Sequence, residues 1–188
     1  MTKLETTGTV NRETLKVCQL TIKNKLARTV WNLAWLVLYR PSPILLHGWR
    51  RFLLRCFGAK MGKRSLPYPS AKIWAPWHLT MSDDSCLSHQ VDCYCVAPVF
   101  LGERVTVSQY SYLCTASHDY TLRSMPLITA PIRIENDAWV TTDVFIGPGV
   151  TIGEGAVVGA RSTVTRNVLP WTVVAGTPPK VIGPRHLN

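Results

Sequence analysis

The 188-residue sequence predicts an all-β repeat fold, a parallel β-helix built from six-residue repeats. The first observation is a strict period of six among aliphatic residues in the second half of the chain. The second is a small or apolar residue at the fifth place of each repeat, and the third is the glycine that follows three of the aliphatic residues. The aliphatic residues are Ile134, Val140, Ile146, Ile152, Val158 and Val164, and the fifth-place residues are Ala138, Val144, Val150, Ala156, Ser162 and Val168.

A six-residue period fits one short strand followed by one tight turn, so three repeats complete one triangular coil. A single coil cannot bury its apolar side chains alone, and stacked coils join these side chains into one continuous column. Leu101, Val107 and Leu113 show the same period upstream. We therefore predict that residues 65–175 form the β-helix, with the aliphatic side chains pointing inward, and that residues 176–188 form a C-terminal cap segment.

An insertion is predicted to interrupt the β-helix, because Leu113 and Ile134 lie 21 residues apart, which is not a multiple of six. We place it near residues 117–131, where Pro126 and Pro131 argue against a regular strand. A long loop in a compact repeat fold is usually functional, although a solvent-exposed excursion without a role is the simpler alternative.

The charge is concentrated at the N-terminus. Residues 1–64 contain 13 Lys/Arg against 2 Asp/Glu, whereas residues 65–188 contain 8 against 9. We interpret residues 1–64 as a basic, amphipathic helical segment, and such an asymmetry favours an anionic partner. No recognised nucleic-acid-binding motif accompanies the charge, so a nucleic acid is not the expected partner.

Two helices are predicted in this N-terminal segment. Residues 30–39 contain a single polar residue, but a membrane-spanning helix needs about 20 apolar residues. A second helix is predicted over residues 43–57, with Ser42 as its N-cap and Gly58 at its C-terminal stop. Tryptophan and arginine on an amphipathic helix are typical of a helix that lies on an anionic membrane, so residues 23–57 are a candidate for peripheral membrane association. The alternative, compatible with the first, is that these helices cap the open end of the β-helix.

The cysteines and histidines do not predict a metal site. The six cysteines include no Cys-X-X-Cys pair, and the five histidines are not clustered. We interpret the cysteines as reduced, buried thiols of a cytosolic protein. His118 is different because it lies at the edge of the predicted insertion, where an imidazole can take a proton from a hydroxyl near neutral pH. From its position alone, a surface-loop histidine is the commoner alternative.

Short sequence blocks outside the strict repeat point to a known family. They are residues 49–51, 54–62, 75–77, 108–109, 112–120, 126–132, 138–140 and 170–182. The most specific are SHDY at 117–120 and AGTPPKVI at 175–182. On these blocks the chain resembles the left-handed β-helix, hexapeptide-repeat acyltransferases, from about residue 25 to its end. It most resembles the colanic-acid-type O-acetyltransferases, which are related to the maltose, galactoside and nodulation-factor O-acetyltransferases.

The resemblance implies a homotrimer with active sites between adjacent subunits, acetyl-CoA as the donor and a sugar hydroxyl as the acceptor. It implies that His118 is the general base and that the hydroxyl attacks the thioester directly, without an acyl-enzyme. Asp92, Asp119 and Tyr120 are candidates for binding the substrate, and the residue that assists His118 stays open, with Asp92 as one candidate. No metal is expected. The candidates for binding CoA are Thr142, Ala160, Thr165, Arg166 and Lys180.

The predicted function is the acetyl-CoA-dependent O-acetylation of a sugar in exopolysaccharide or lipid-linked oligosaccharide biosynthesis. The predicted location is the cytoplasm, with the inner face of the membrane as a candidate surface. One alternative is an acyltransferase for an amino sugar or another small acceptor, and a second is a catalytically inactive β-helix scaffold. A γ-type carbonic anhydrase shares the fold but needs three metal-binding histidines, which the pattern does not supply.

Overall fold

The computed structural model describes residues 15–18 and 21–187, and its main body is a parallel β-helix with three sheets. The first side contains β2 (Lys60–Met61), β5 (Leu79–Met81), β8 (Val99–Leu101), β13 (Ile132–Ile134) and β16 (Thr151–Ile152). The second side contains β3 (Leu66–Pro67), β6 (Cys86–Leu87), β9 (Thr106–Val107), β14 (Trp139–Val140), β17 (Val157–Val158) and β19 (Thr172–Gly176), with β20 (Pro179–Pro184) antiparallel to β19. The third side contains β4 (Lys72–Ile73), β7 (Asp92–Tyr94), β10 (Tyr112–Cys114), β15 (Phe145–Ile146) and β18 (Thr163–Val164).

The repeated aliphatic side chains fill the interior of the coils, as predicted. Because side chains alternate across a strand, each short strand points one residue inward and its neighbour outward. The register stacks the inward residues of successive coils directly on one another, and none is more than 1% exposed. The fold class predicted from the six-residue period is therefore confirmed. The stacks are Leu101–Ile134–Ile152, Val107–Val140–Val158 and Leu113–Ile146–Val164.

The predicted insertion is present between β10 and β13, but it is not an irregular loop. β11 (Ala116–His118) and β12 (Leu127–Thr129) form an antiparallel hairpin, and β1 (Lys16–Val17) pairs with the other edge of β12. The prediction that Pro126 and Pro131 argue against a regular strand here was wrong. Both prolines lie outside β12, so neither removes an N–H group from its ladder.

Two N-terminal helices cover the open edge of the first coil. They are α1 (Ile22–Ala34), which continues as a π-helical segment over Trp35–Tyr39, and α2 (His47–Cys56). Coil 1 contains β2, β3 and β4, and coil 2 contains β5, β6 and β7. The N–H groups of Lys72 and Trp74 in coil 1 donate to carbonyls of coil 2, at 2.9 and 3.0 Å. This polarity leaves carbonyl groups of coil 1 pointing away from the β-helix, where a buried acceptor without a donor is costly.

Side chains of the helices donate hydrogen bonds to these carbonyls. All six donors are indole, phenol or guanidinium groups, which reach across the gap between helix and coil. The helices therefore cap the open end of the β-helix, which is one of the two roles predicted for them. The bonds run from Trp31 to Ile73 (2.6 Å), Trp35 to Ala71 (2.9 Å), Tyr39 to Tyr68 (3.2 Å), Arg50 to Pro67 (2.6 Å), Arg51 to Ser65 (2.7 Å) and Arg55 to Met61 (2.7 Å).

The second helix begins four residues later than predicted, at His47. Ser42 is not its N-cap, because the Ser42 hydroxyl donates to the Tyr39 carbonyl (2.6 Å) and accepts from the guanidinium of the fully buried Arg50 (2.9 Å). The C-terminal stop was predicted correctly. Gly58 has a φ of 88°, the left-handed conformation that favours glycine after a helix.

Removing one capping donor tests this role. We expect Trp31→Phe to lower the free energy of unfolding by about 1–3 kcal/mol, because the ring still fits but the Ile73 carbonyl is left buried without its donor. Trp49→Phe is the matched control, since the indole of Trp49 donates to the Leu38 carbonyl in an exposed position (3.0 Å). Urea denaturation measures both variants, and equal losses of stability would contradict the capping role.

Candidate active site

The hairpin that carries His118 is rooted in the coils through Thr115. The Thr115 hydroxyl is buried; it donates to the Tyr94 carbonyl (2.8 Å) and accepts from the Ala97 N–H (2.9 Å). The Ala130 N–H donates to the Thr115 carbonyl at 3.0 Å and closes the base of the hairpin. His118 therefore lies on a hairpin whose base is fixed to the rigid coils.

The imidazole of His118 is exposed, and one of its nitrogens is bound to the backbone. Nδ1 lies 2.6 Å from the carbonyl oxygen of Met125. A carbonyl oxygen can only accept, so Nδ1 carries the hydrogen, and the neutral ring keeps a lone pair on Nε2. Nε2 is therefore the nitrogen that can take a proton from a hydroxyl, and a backbone carbonyl fixes that tautomer.

Asp119 organises the turn beside His118. Its backbone N–H donates to the Pro126 carbonyl (3.0 Å), and its carboxylate accepts from the N–H (3.0 Å) and the hydroxyl (2.6 Å) of Thr121. Such local bonds are a usual function of aspartate in turns. Asp119 holds the turn through these contacts. Tyr120 lies at the tip of the turn and is 84% exposed.

Within one chain, Asp92 is paired with Lys72 and not with the imidazole of His118. It lies on the outer surface of β7, next to Tyr112 of β10, and its carboxylate pairs with the Lys72 ammonium at 3.3 Å. Burial, together with Cys114, raises the pKa of Tyr112 well above its usual value, so this phenol is an uncharged neighbour of Asp92. Met125, not Asp92, supplies the hydrogen-bond partner of His118.

The candidate CoA-binding residues fall into two groups. Thr165, Arg166 and Lys180 line one cavity of about 310 Å³ between the segment after β18 and the β19–β20 hairpin. Thr142 and Ala160 lie at another corner of the triangle, where the Arg161 N–H donates to the Thr142 carbonyl at 3.1 Å. The rest of the cavity wall is mainly apolar or backbone: Val164, Asn167, Val168, Leu169, Val174, Pro178, Pro179 and Val181.

A second depression, of about 390 Å³, lies on the outer surface of the second side. Trp139 is 45% exposed there, and its indole N–H donates to the Ser108 hydroxyl at 3.0 Å. Arg104 and Arg185 lie at its rim, and a hydrogen bond from Arg104 lowers the pKa of the Asp137 carboxyl. Ser108 and Trp139 lie in two of the blocks that carry the family resemblance, and no role at a site was predicted for either residue. An aromatic residue at an outward repeat position was the signal that could have identified this surface.

Residues 131–166 match the family described as bacterial transferase hexapeptide (six repeats). WcaF of Escherichia coli strain K12, named as an acetyltransferase of colanic acid biosynthesis, is 41% identical over 162 residues, or 86% of this chain and 89% of WcaF. The chain belongs to the hexapeptide-repeat acetyltransferase family. The family and the enzyme class predicted from the sequence are thus confirmed.

Solved structures of family members agree with the fold. A hexapeptide-repeat-containing acetyltransferase from Vibrio cholerae is 27% identical, with a TM-score of 0.80 over 89% of this chain and 95% of that one. A second structure of that acetyltransferase, complexed with acetyl-CoA, is 28% identical, with a TM-score of 0.78 over 89% of this chain and 91% of that one.

Within residues 15–18 and 21–187, no three His, Cys, Asp or Glu side chains are grouped as metal ligands would be.

Proposed function

We propose that this acetyltransferase moves an acetyl group from acetyl-CoA to a sugar hydroxyl in exopolysaccharide or lipid-linked oligosaccharide biosynthesis, with His118 as the general base. The observation that carries the proposal is the bond from His118 Nδ1 to the Met125 carbonyl, because it leaves Nε2 as the proton acceptor. The assignment of WcaF to colanic acid biosynthesis supports the acceptor class, and the acetyl-CoA complex of the Vibrio relative supports the donor.

The proposed reaction needs no nucleophile from the protein. Nε2 of His118 removes the proton of the acceptor hydroxyl while the hydroxyl oxygen attacks the thioester carbonyl carbon. The new C–O bond forms, the C–S bond breaks, and the imidazolium returns the proton to the departing CoA sulfur. The Met125 carbonyl accepts from Nδ1–H throughout and stabilises the positive charge that the ring carries between the two transfers.

The cavity at the last coils suits the nucleotide end of CoA. Arg166 and Lys180 place two cationic side chains at a wall that is otherwise mainly apolar, which matches phosphate groups next to a base. Thr142 and Ala160 have small side chains, as a path for the pantetheine arm requires.

These two residues lie at a different corner from Thr165, so one subunit alone does not line a single continuous channel. A groove between adjacent copies of the chain resolves this separation, and we include a homotrimer in the proposal. Light scattering should then give three times the 21.0 kDa chain mass.

The variant His118→Asn separates chemistry from structure. The asparagine amide can still donate to the Met125 carbonyl, but it cannot act as a base. We expect kcat for sugar acetylation to fall about 100- to 10,000-fold, with the Kd for acetyl-CoA and the melting temperature unchanged. A variant that retains full kcat would exclude His118 as the base.

The cationic wall of the cavity is tested by charge removal. We expect Arg166→Ala and Lys180→Ala each to raise KM for acetyl-CoA about tenfold, because each removes a charge-assisted bond of about 1.5 kcal/mol. Lys63→Ala removes the same charge from the exposed first coil and should leave KM unchanged. If all three variants bind acetyl-CoA as the parent does, the phosphates lie elsewhere.

We also propose that the helical cap rests on an anionic membrane surface. Trp31, Trp35 and Tyr39 face the first coil, while the opposite surface of the cap is apolar and exposed. Residues 21–58 contain seven Lys/Arg and no Asp/Glu. We call this surface the outer face of the cap; it consists of Ile22, Leu26, Val30, Leu33, Val37, Leu45, Leu46, Trp49 and Phe52.

The combination of an apolar stripe with cationic neighbours is the pattern of a helix that lies in the membrane interface. Arg50, Arg51 and Arg55 donate to carbonyls of the first coil, so they serve the fold first. Lys23 and Lys25 are exposed next to the outer face of the cap and are available to anionic headgroups. In the described part of the chain, no helix has the length and apolar character needed to cross a bilayer.

Point substitutions test membrane association better than deletion of the cap, which would uncover the carbonyls of the first coil. We expect Leu26→Glu with Leu45→Glu to reduce binding to vesicles of phosphatidylcholine and phosphatidylglycerol, because two charges must then enter the interface. Ile182→Glu is the matched control, since Ile182 is 69% exposed in β20, outside the cap. Equal co-sedimentation of the parent, the double variant and the control would contradict the proposal.

A further inference from the structure

The strand β1 pairs with the outer edge of the hairpin that carries His118. Lys16 lies opposite Thr129 and Val17 opposite Ile128, and the Cys18 N–H donates to the Leu127 carbonyl at 2.9 Å. A segment that precedes the helical cap therefore contacts an insertion more than 100 residues further along the chain.

This contact is one strand away from His118. In the sheet β1-β12-β11, His118 lies directly opposite Leu127, whose carbonyl accepts from Cys18. Cys18, Leu127 and His118 thus form one row across three strands. Met125, which binds Nδ1 of His118, lies two residues before Leu127 on the same arm of the hairpin. A displacement of β12 would move both the strand that supports His118 and the carbonyl that orients its ring.

A hairpin of two short strands is marginally stable by itself, and a third strand adds the cross-strand bonds that such a ribbon lacks. β11 and β12 each contain only three residues, and their sheet is separate from the three sheets of the β-helix. β1 is the strand that completes it. Thr129 adds a side-chain bond, from its hydroxyl to the Lys16 carbonyl at 3.4 Å.

The strand is held close to a fixed point of the cap. Thr21, three residues after Cys18, is the N-cap of α1, and its hydroxyl accepts from the Asn24 N–H at 3.3 Å. The indole of Trp31 then bonds α1 to the first coil. β1 therefore connects the cap to the outer edge of the hairpin.

We propose that β1 is a strap that positions His118 for catalysis, through β12 and the Met125 carbonyl. The proposal rests on the role of His118 as the base. In this arrangement the strap residues touch no substrate; they determine how the imidazole is presented to the acceptor hydroxyl. Loss of the strap should therefore lower kcat while the binding of acetyl-CoA at the last coils stays intact.

The test compares Cys18→Pro with Cys18→Ala in the full chain. Proline removes the N–H that bonds to Leu127, whereas alanine keeps the N–H and removes only the thiol. We expect Cys18→Pro to lower kcat roughly 10- to 100-fold, because small misplacements of a catalytic group have effects of this size. KM for acetyl-CoA and the melting temperature should stay at the parent values, and Cys18→Ala should match the parent in kcat.

A second readout reports on the hairpin directly. Arg123 lies in the turn between β11 and β12, so trypsin cleavage after Arg123 should be faster in Cys18→Pro than in Cys18→Ala. The triple substitution Lys16→Gly, Val17→Gly and Cys18→Gly keeps every N–H but weakens the strand, and it should shift kcat and cleavage in the same direction. This triple variant also tests the strap if the proline variant fails to fold.

The outcomes separate the two proposals. Equal kcat and equal cleavage in the proline, alanine and glycine variants, with His118→Asn inactive, would overturn the strap and leave the base intact. Full activity of His118→Asn would overturn the base and the strap together. A fall in kcat accompanied by an equal rise in KM for acetyl-CoA would show general damage to the fold, and it would also overturn the positioning role.

Discussion

The open edge of the first coil is the constraint on which the rest of the structure depends. A parallel β-helix bonds each coil to the next, so its first coil presents a row of carbonyl groups that no strand covers. In this protein tryptophan, tyrosine and arginine side chains of the N-terminal helices supply the missing donors. The need for long donors accounts for Arg50, Arg51 and Arg55, and Arg50 is fully buried for this reason. Once the inner surface of the cap is used in this way, its apolar outer face and its remaining lysines stay exposed, and we propose that this surface meets a membrane.

The same chemistry, a side-chain donor on a backbone carbonyl, recurs at the candidate active site. The hairpin leaves the coils at Thr115, whose hydroxyl bonds back to coil 2, and its turn brings the Met125 carbonyl to Nδ1 of His118. The rigid coils thereby fix the base of the hairpin, and the Met125 carbonyl of the hairpin fixes the tautomer of His118. The cationic cavity at the last coils is built separately, on the β19–β20 hairpin. Under the function that we propose, donor binding and proton transfer can therefore be altered independently by mutation.

The sequence predicts those parts of the structure that follow a local rule. Inner positions such as Ile146 obey a period of six, and the break in that period after Leu113 locates the insertion. Contacts that depend on the tertiary fold could not be predicted. The partner of His118 is a backbone carbonyl, which has no signature in the sequence. Ser42 accepts a hydrogen bond from Arg50 instead of capping α2. The strand between Pro126 and Pro131 pairs on one edge with the other arm of its hairpin and on the other edge with the distant β1. Arg166 and Lys180 were found from family resemblance, and only the structure shows that they share one cavity.

The fold presents His118 with its proton on Nδ1 and a lone pair on Nε2. The most direct measurement is nitrogen NMR of the histidine rings at a pH where they are neutral, with His118 assigned from the His118→Asn variant. We expect a protonated Nδ1 and an unprotonated Nε2 for His118, with slow solvent exchange of the Nδ1 hydrogen because it is bonded to Met125. A ring protonated on Nε2, or one that averages between both tautomers, would show that the Met125 carbonyl does not fix the tautomer of His118.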